Sequence, residues 1–484
     1  MTDRNLPPCL AAVAASGSPL LCDALDIWWA GVRAVTPEVV LQELVHVEHG
    51  ELVIADSAFS LAGIRRIVVV GAGKASAAMA CALYGSVLKG LANRYEIQGW
   101  INAPEGSFVP GSAGPIRLHA ARPAGINEPT AAAVAGTEEI LRLVAGCQPH
   151  DLCLALLSGG GSALLAAPIA GIELADKQAV ARRVAAAGGN IAQLNTVRRA
   201  LSRVKGGGLA AGCRARHLIS LIISDVLGDP LETIASGPTV AAAVVEPAEA
   251  LQVLSDLELL GDPELRQVVE VLHHQATRPV ARQGRGGQAC PVSHLVLANN
   301  ASAVDAAGVR AVELGYRYIM QAARGLEGDV GPLASTVART LKQLSAEEQV
   351  DCWISGGEPT VKLPPLPQRG AGGRNQQLVL LSMLELEAVG WPRNRAGQRQ
   401  PLLCLSAGTD GEDGPTQAAG AWFDQTTMAH CQQLSLDAKR SAANADAFGL
   451  FSATGNIIPA FSTGTNVCDL RIALKPLRQL GSSS

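Results

Sequence analysis

A glycine-rich turn with a lysine follows the apolar run 67–70: Gly71-Ala72-Gly73-Lys74. A turn that leads from a strand into a helix presents backbone N–H groups to an anion, and Lys74 adds an ammonium. The turn is neither a complete dinucleotide fingerprint, since Ser76 replaces the third glycine, nor a Walker A loop. The alternative is a tight turn with a solvated lysine. Because a cation at a helix N-terminus opposes the helix dipole, we favour an anion-binding role for Gly71, Gly73 and Lys74.

A second glycine turn follows the apolar run 152–157, with the sequence Ser158-Gly159-Gly160-Gly161-Ser162. Three glycines let the backbone approach a ligand closely, although a packing turn is the ordinary alternative. Because the G-x-S-x-G pattern is absent, neither serine is predicted to be a nucleophile. All five residues are therefore candidate ligand contacts.

A cationic segment follows, and its candidate binding residues are Asn195, Arg198 and Lys205. By itself such a segment is also compatible with a solvated basic helix face. Asp225 and Asp229 come after the apolar run 217–223. A carboxylate at the end of a strand can hold Mg²⁺ or accept a hydroxyl proton, but Asp225 could equally cap the next helix.

The second half of the chain repeats this pattern of glycines beside polar groups. Gly357 and Glu358 follow the predicted strand 351–355, and Asp410 follows the predicted strand 402–406. Arg374 precedes a predicted helix at 375–384, which would direct its guanidinium toward the ligand. Gly357, Glu358, Arg374 and Asp410 are therefore candidate site residues.

The uninterrupted apolar runs predict parallel strands that are buried on both faces of an α/β sheet. In such sheets the ligand lies at the carboxyl ends of the strands, where these glycine turns fall. The length of 484 residues predicts two large domains, and the polar, glycine-rich segment 276–290 is the best linker candidate.

Composition excludes several classes of protein. A net charge of −4 and 3% aromatic residues argue against binding of nucleic acid. Eleven cysteines, an odd number without a C-x-x-C pair, favour buried free thiols in a reducing cytoplasm. The uncharged stretch 152–172 contains three consecutive glycines and Pro168, which favours a strand, a turn and a helix over a membrane span. We expect a cytoplasmic protein without a membrane partner.

Taken together, these segments resemble the glycerate 2-kinase family, the MOFRL-domain glycerate kinases. The resemblance runs from about residue 23 to residue 474 and depends on ordered motifs: GAGKA (71–75), LLSGGGSALL (156–165), N-x-VR (195–198), KGG-x-LA (205–210), ISDV-x-GD (223–229), IASGPT (234–239), SGGEPTV (355–361), GGRNQ (372–376), AGTDG-x-DGPT (407–416) and TGTNV-x-DL (463–470).

The resemblance implies phosphorylation of the 2-hydroxyl of D-glycerate by ATP, with Mg²⁺, to give 2-phosphoglycerate. It implies a Rossmann-like domain at 1–285 and a smaller MOFRL α/β domain at 286–484, with the active site in the cleft between them. Lys74 and Arg374 match the family's catalytic positions. Asp225 is assigned the base or metal role, and Asp229 is a second metal candidate. We expect a monomer or homodimer.

Several positions depart from the family motifs, and four of them bear on activity: Gln193, Ala200, Gln377 and Gln417. These changes remove acids or a histidine near the expected site. One alternative is therefore a weakened or silent paralogue that binds ligand. Another is hydroxypyruvate reductase, a label that relatives sometimes carry, although the incomplete G-x-G-x-x-G argues against a nicotinamide site.

Overall fold

The computed structural model describes residues 6–123, 128–241, 245–277 and 290–477. The chain forms two compact units, which we name after their positions along the sequence. The central unit is Pro37–Leu297, and the terminal unit combines Met1–Thr36 with Ala298–Ser484.

The described residues of both units form helices and strands. The α-helices are α1 (Pro8–Ser16), α2 (Pro19–Ala34), α3 (Pro37–Leu44), α4 (Ser76–Leu83), α5 (Lys89–Leu91), α6 (Ala131–Ala145), α7 (Gly161–Leu164), α8 (Leu174–Ala186), α9 (Ile191–Ala200), α10 (Gly208–Gly212), α11 (Pro247–Asp256), α12 (Arg266–Thr277), α13 (Asn300–Glu313), α14 (Val330–Ala346), α15 (Arg374–Ala388), α16 (Thr427–Gln433), α17 (Ala438–Ala443) and α18 (Ala447–Thr454). The strands are β1 (Val45–Glu48), β2 (Glu51–Ile54), β3 (Ser57–Ser60), β4 (Arg66–Ala72), β5 (Glu96–Pro104), β6 (Ile116–Arg122), β7 (Asp151–Ser158), β8 (His217–Ile223), β9 (Val292–Ala298), β10 (Tyr318–Gln321), β11 (Cys352–Gly357), β12 (Leu403–Gly408), β13 (Ala418–Asp424), β14 (Ile457–Pro459) and β15 (Asp469–Leu474).

The central unit is built on a sheet whose described strands follow the order β6-β5-β4-β7-β8-β9. The pairings from β6 to β8 are all parallel. Every residue of β7 is buried, as its continuous apolar sequence predicts for a sheet covered on both faces. After β4 the chain builds the sheet toward β5 and β6, and after β7 it builds toward β8. The carboxyl ends of β4 and β7 therefore border a topological switch point, the place where α/β sheets bind ligands.

The terminal unit contains a mixed sheet with the described order β10-β11-β15-β12-β13-β14. β10 pairs in parallel with β11, and β15 is inserted antiparallel between β11 and β12. Side chains of β15 alternate between two cores: Ile472 packs with Trp28 of α2 and Val304 of α13, whereas Ala473 packs with Leu341 of α14 and Leu380 of α15. The sheet is therefore covered by helices on both faces.

The predicted α/β fold class is confirmed, with a Rossmann-like parallel sheet followed by a second α/β unit. The predicted strand 217–223 has the same bounds as β8, and the predicted strands 351–355 and 402–406 correspond to β11 and β12. Residues 152–172 form most of β7, the short helix α7 and a loop. None of the helices in the described part of the chain has both the length and the apolar composition needed to cross a membrane.

The two compact units divide the chain differently from the predicted ranges 1–285 and 286–484. Residues 6–36 lie in the terminal unit, because α2 packs against its sheet and Trp28 Nε1 donates a hydrogen bond to Ala407 O at 3.4 Å. Residues 290–297 lie in the central unit, because β9 is the strand next to β8. The predicted boundary and residues 278–289 of the predicted linker lie outside the described residues.

Candidate functional site

The turns after β4 and β7 are joined by hydrogen bonds at the switch point of the central sheet. The Lys74 N–H donates to Gly159 O at 2.7 Å, and the Ala75 N–H donates to Ser158 Oγ at 3.0 Å. The fully buried Ser158 Oγ also lies 3.3 Å from Ser76 Oγ. The hydroxyl of Ser158, predicted to be a ligand contact, therefore fixes the start of α4 relative to the second glycine turn.

Close packing explains why glycine occupies the predicted positions in these turns. A Cβ on Gly71 would clash with Leu156 O, and a Cβ on Gly73 would clash with Ser158 Oγ. Gly160 has a φ of +73° and faces two cationic side chains. A Cβ added there would lie 3.1 Å from Arg122 Nη2 and 3.4 Å from Lys74 Cγ. The turn after β7 therefore borders both Lys74 and Arg122.

Arg122 is a site residue that the sequence analysis did not single out. It is the last residue of β6, only 3% exposed, and its guanidinium reaches the glycine turn from the far side of β5. Arginine forms a planar fork of donors that suits carboxylate and phosphate groups. The available signal was its position at the end of a strand of the parallel sheet, where ligand contacts collect.

A third cation joins the same turn. The Lys205 Nζ donates to both Ser162 O and Ser162 Oγ at 2.7 Å, and Ser162 Oγ lies 2.9 Å from Ser236 Oγ. Lys205 is only 5% exposed. The predicted residues Ser162 and Lys205 are thus in direct contact, and the turn after β7 is bordered by Lys74, Arg122 and Lys205.

Lys205 belongs to a group of three cations, which we call the cation cluster: the buried Lys177 and Lys205 and the half-buried Arg198. Burial lowers the pKa of Lys205 far below its ordinary value, and the charges of Lys177 and Arg198 lower it further. Burial, together with the charge of Arg198, lowers the pKa of Lys177 to about 8. Burial also lowers the pKa of Arg198. Cations that repel each other inside a protein favour the binding of an anion, since an anion would offset both the burial and the repulsion.

Helix α9 positions the predicted residues Asn195 and Arg198. Asn195 is buried, and Arg198 lies on the same side of the helix, about one turn later. The helix begins with a reciprocal cap, in which Gln193 N–H donates to Asn190 Oδ1 and Asn190 N–H donates to Gln193 Oε1, both at 2.9 Å. Lys177, which the sequence analysis missed, comes from α8 and donates to Leu201 O at 3.0 Å.

Asp225 and Asp229 lie in the loop after β8, at the carboxyl edge of the same sheet. Both are half-buried, and Asp229 has a φ of +53°, with its N–H donating to Val226 O at 3.0 Å. Among the described residues, Cys147, Cys153 and Cys213 form the one group of three or more His, Cys, Asp or Glu side chains whose ligand atoms lie close enough together to hold one metal ion. The role of Asp225 and Asp229 as metal ligands stays a prediction.

In the terminal unit, Arg374 opens α15 and is held by two acids. Its Nε and Nη2 donate to the two oxygens of Asp469 at 2.7 and 2.9 Å, and Nη1 lies 3.1 Å from Glu358 Oε1. Asp469 is fully buried, whereas Glu358 is half-buried. The predicted residues Glu358 and Arg374 are therefore brought together, and Asp469 is a partner that sequence reasoning missed.

The pKa values of this group reflect its burial and its charges. Burial alone would lower the pKa of Arg374, but Asp469 and then Glu358 raise it above its ordinary value. Burial raises the pKa of Glu358, and the charges of Asp469 and Asp410 add to this effect, whereas Arg374 opposes it. Asp469 therefore favours the charged form of the Arg374 guanidinium, whereas the raised pKa of Glu358 makes its carboxylate easier to protonate.

Asp413 aligns the start of α15, on which Arg374 lies. Its Oδ1 accepts from Asn375 N–H at 3.0 Å, and its Oδ2 accepts from Gln376 N–H at 2.9 Å. These bonds satisfy N–H groups that a helix leaves unpaired at its first turn. Burial raises the pKa of Asp413 to about 6, despite the opposing effect of the hydrogen bonds from Gln376 and Asn375.

The remaining predicted residues of the terminal unit are Gly357 and Asp410. Gly357 ends β11, and a Cβ there would clash with the carboxylate of Glu327, which forms a bidentate ion pair with the buried Arg471. Asp410 Oδ1 accepts from Glu412 N–H at 3.1 Å. The predicted residues thus form two groups, one at the switch point of the central sheet and one around Arg374. The expected position of the site between two domains stays a prediction.

Comparison with known proteins identifies the family of this chain. Residues 23–272 match the family described as a domain of unknown function (DUF4147), and residues 351–469 match the MOFRL family. Glycerate kinase of Mus musculus is 34% identical over 95% of this chain and 94% of its own length. The chain belongs to the MOFRL/DUF4147 glycerate kinase family.

Two further relatives refine the comparison. The crystal structure of glycerate kinase from Thermotoga maritima aligns with a TM-score of 0.73 and 27% identity, covering 93% of this chain and 98% of that one. A protein of Agrobacterium vitis named putative hydroxypyruvate reductase is 33% identical over 84% of this chain and 99% of its own length. The glycerate kinase family therefore includes relatives that carry different activity names.

Three of the four departures from the family motifs, Gln193, Ala200 and Gln377, have local structural roles. Gln193 completes the cap of α9, a position where Gln and Glu serve equally. Ala200 packs against an apolar cluster of the central unit. Gln377 is buried on α15 and donates to Ala442 O at 2.8 Å. These contacts account for the three side chains without a loss of the cation cluster, Lys74 or Arg374.

Proposed function

We propose that this chain is a glycerate 2-kinase, which transfers the γ-phosphoryl group of ATP to the 2-hydroxyl of D-glycerate. The observation that carries the proposal is the set of cations at the switch point, where Lys74, Arg122 and Lys205 border one glycine turn. ATP and glycerate are both anions, and the transfer needs positioning and neutralisation of charge rather than a covalent nucleophile.

The balance of charge supports an anionic substrate for this turn. Lys205 is buried beside two further cations, so its positive charge opposes folding unless an anion offsets it. The charges of Lys177 and Arg198 both act on Lys205. A phosphate or carboxylate group placed at the turn would meet donors from both the backbone and the side chains.

In the proposed reaction the 2-hydroxyl oxygen of glycerate forms a bond to the γ-phosphorus of ATP. The bond between that phosphorus and the β–γ bridging oxygen breaks, and ADP leaves with the electron pair. Asp225 or Asp229 accepts the hydroxyl proton, the other acid being left for the metal, and Lys74 and Arg374 neutralise charge on the transferred group. The products are 2-phosphoglycerate and ADP.

The residues present fit a magnesium ion. Mg²⁺ is commonly bound by one or two carboxylates together with the phosphates of a nucleotide. Asp225 and Asp229 are half-buried carboxylates in one loop at the carboxyl edge of the sheet, and they are the residues that would hold it. When bound, Mg²⁺ would neutralise part of the charge on the phosphates of ATP.

The product isomer tests the proposal. Purified protein is mixed with ATP, Mg²⁺ and D-glycerate, and the product is followed with enolase and pyruvate kinase, which respond to 2-phosphoglycerate. A signal without added phosphoglycerate mutase is the expected result. A signal that requires the mutase would show that the 3-hydroxyl is phosphorylated instead.

Two other outcomes correspond to the alternative functions. ATP binding without turnover of D-glycerate or other 2-hydroxy acids would indicate a silent ligand-binding paralogue. Oxidation of NADH in the presence of hydroxypyruvate would indicate the reductase activity named for the Agrobacterium vitis relative. We expect neither, because Lys74, Asp225 and Arg374 are all present and the incomplete G-x-G-x-x-G argues against a nicotinamide site.

A variant tests the contribution of Arg122, which the sequence did not reveal. Arg122→Met should raise the KM for ATP or D-glycerate at least ~10-fold, since hydrogen bonds to charged groups contribute about 1.5–3 kcal/mol. Arg117→Met is the matched control, because Arg117 is an exposed arginine of the same strand that stacks on Trp100. Equal kinetics of the two variants would show that Arg122 does not contact substrate.

A further inference from the structure

Four cysteines from distant parts of the sequence converge in the central unit. Cys147 follows α6, Cys153 lies in β7, Cys213 follows α10 and Cys290 precedes β9. The first three are buried and belong to one core, against which the half-buried Cys290 packs. Their spacing along the chain contains no C-x-x-C pair, so only the fold reveals the group, which we call the thiol cluster.

The sulfur atoms of the thiol cluster are arranged as ligands of one metal ion would be. The Sγ atoms of Cys147, Cys153 and Cys213 all lie within 4.8 Å of one another. Tetrahedral zinc with Zn–S bonds of about 2.3 Å requires sulfur atoms about 3.8 Å apart. The Cys213 sulfur is also within hydrogen-bonding reach of Cys290. Three buried ligands and a fourth at the more exposed side are therefore available.

We propose that Cys147, Cys153, Cys213 and Cys290 form a structural site for a soft divalent cation, with Zn²⁺ as its ion. Binding replaces one thiol proton for each sulfur that coordinates, so up to four protons are released for each ion. No electron is transferred, and no oxidant is needed. The half-buried Cys290 gives the ion a path from solvent.

A basic group lies beside the thiol cluster. The guanidinium of Arg66, which pairs with the buried Asp151, donates to Gly146 O at 2.9 Å, and Gly146 directly precedes Cys147. A cation beside the cluster would offset part of the negative charge of a zinc–thiolate group.

The thiol cluster is distinct from the proposed catalytic group. Cys153 is the third residue of β7 and Ser158 is the last, so the two are separated by about 17 Å along the strand. The cluster therefore lies at the amino edge of the sheet, whereas Lys74 and Lys205 lie at the carboxyl edge. A bound ion would tie α6, β7, α10 and the entry to β9 together, which predicts an effect on stability rather than on the chemical step.

Cobalt is the probe for this site, because tetrahedral Co²⁺–thiolate complexes give charge-transfer bands in the near ultraviolet and intense visible bands. The full chain is reduced, treated with a chelator, freed of both reagents and titrated with Co²⁺. We expect these bands to saturate at one ion per chain and to be displaced by Zn²⁺. X-ray absorption of the zinc form should give three or four sulfur neighbours at about 2.3 Å.

Variants separate the site from other thiols. Cys153→Ser and the milder Cys290→Ser should each weaken Co²⁺ binding at least ~10-fold. Cys404→Ser, which changes an equally buried strand cysteine in the terminal unit, should leave it unchanged. Zinc should also raise the Tm of the wild type and of Cys404→Ser, but raise that of Cys153→Ser less.

Three results would overturn the proposal. One is the absence of the cobalt bands in folded, reduced wild type. Another is bands that persist in both cluster variants. The third is a disulfide among Cys147, Cys153 and Cys213 that forms with glutathione disulfide while the reduced protein binds no metal, since the cluster would then be a redox pair. Each result is independent of kinase activity.

Discussion

Replacement of Lys177 by methionine should change how the stability of the protein depends on pH. Burial and the charge of Arg198 lower the pKa of Lys177 from 10.5 to about 8. This difference corresponds to about 3 kcal/mol by which the charged lysine destabilises the folded state near neutral pH. Methionine keeps the apolar stem of the side chain but removes the charge, and with it the hydrogen bond to Leu201 O, worth about 1 kcal/mol.

The sign follows from proton binding. Between pH 8 and 10.5 the unfolded chain holds the Lys177 proton and the folded chain has released it, so stability rises with pH in this window. Below pH 8 the full penalty is present, and above pH 10.5 it is absent. Relative to wild type, Lys177→Met should therefore be more stable by about 2 kcal/mol at pH 7 and less stable by about 1 kcal/mol above pH 10.5.

Urea unfolding followed by circular dichroism from pH 7 to pH 10.5 measures this difference. Lys89→Met is the control, because Lys89 is an exposed lysine of the same unit and its replacement should leave the pH dependence unchanged. The reasoning is refuted if Lys177→Met is less stable than wild type at pH 7 and keeps the wild-type pH dependence. A second readout links the cluster to function: ATP, D-glycerate or inorganic phosphate should raise the Tm of wild type more than that of the variant.

Three further variants test the proposed site. Lys74→Ala should lower kcat at least ~100-fold in the coupled assay, as loss of a group that stabilises transition-state charge does, and a near-normal rate would contradict its role. Asp469→Asn should lower kcat, because it weakens the bidentate bond that orients Arg374. An unchanged kcat would show that this orientation is unimportant. Asp413→Ala should lower the free energy of unfolding by about 1–2 kcal/mol, since it removes the cap of α15, and a Tm equal to that of wild type would refute the capping role.

The sequence predicted the backbone of the site better than its side chains. The glycine turns were recognisable because each follows a continuous apolar run, and the same runs form β4, β7 and β8. A continuous apolar run is by itself typical of a parallel strand that is buried on both faces. The structure adds why glycine occupies positions 71 and 73, since a Cβ at either position would clash with β7.

The partners of the candidate site were not predictable, because they depend on long-range packing. Asp469 lies 95 residues after Arg374, and only the antiparallel insertion of β15 beside β11 brings them together. Lys177 reads as an ordinary helical lysine until the packing of α8 against α9 buries it. The thiol cluster could not be predicted for the same reason, since the fold brings its cysteines together and their spacing along the chain does not.

The two groups of cations solve opposite electrostatic problems. In the cation cluster the charges repel each other, so an arriving anion relieves an existing cost. Arg374, by contrast, is already paired with two carboxylates, since its Nε and Nη2 donate to Asp469 and its Nη1 contacts Glu358. Asp469 is fully buried and binds Arg374 through both of its oxygens. Glu358 makes one contact with Arg374, is half-exposed and has a raised pKa. In the proposed reaction we therefore expect a phosphoryl oxygen that approaches Arg374 to displace Glu358 more readily than Asp469, which would keep the guanidinium oriented.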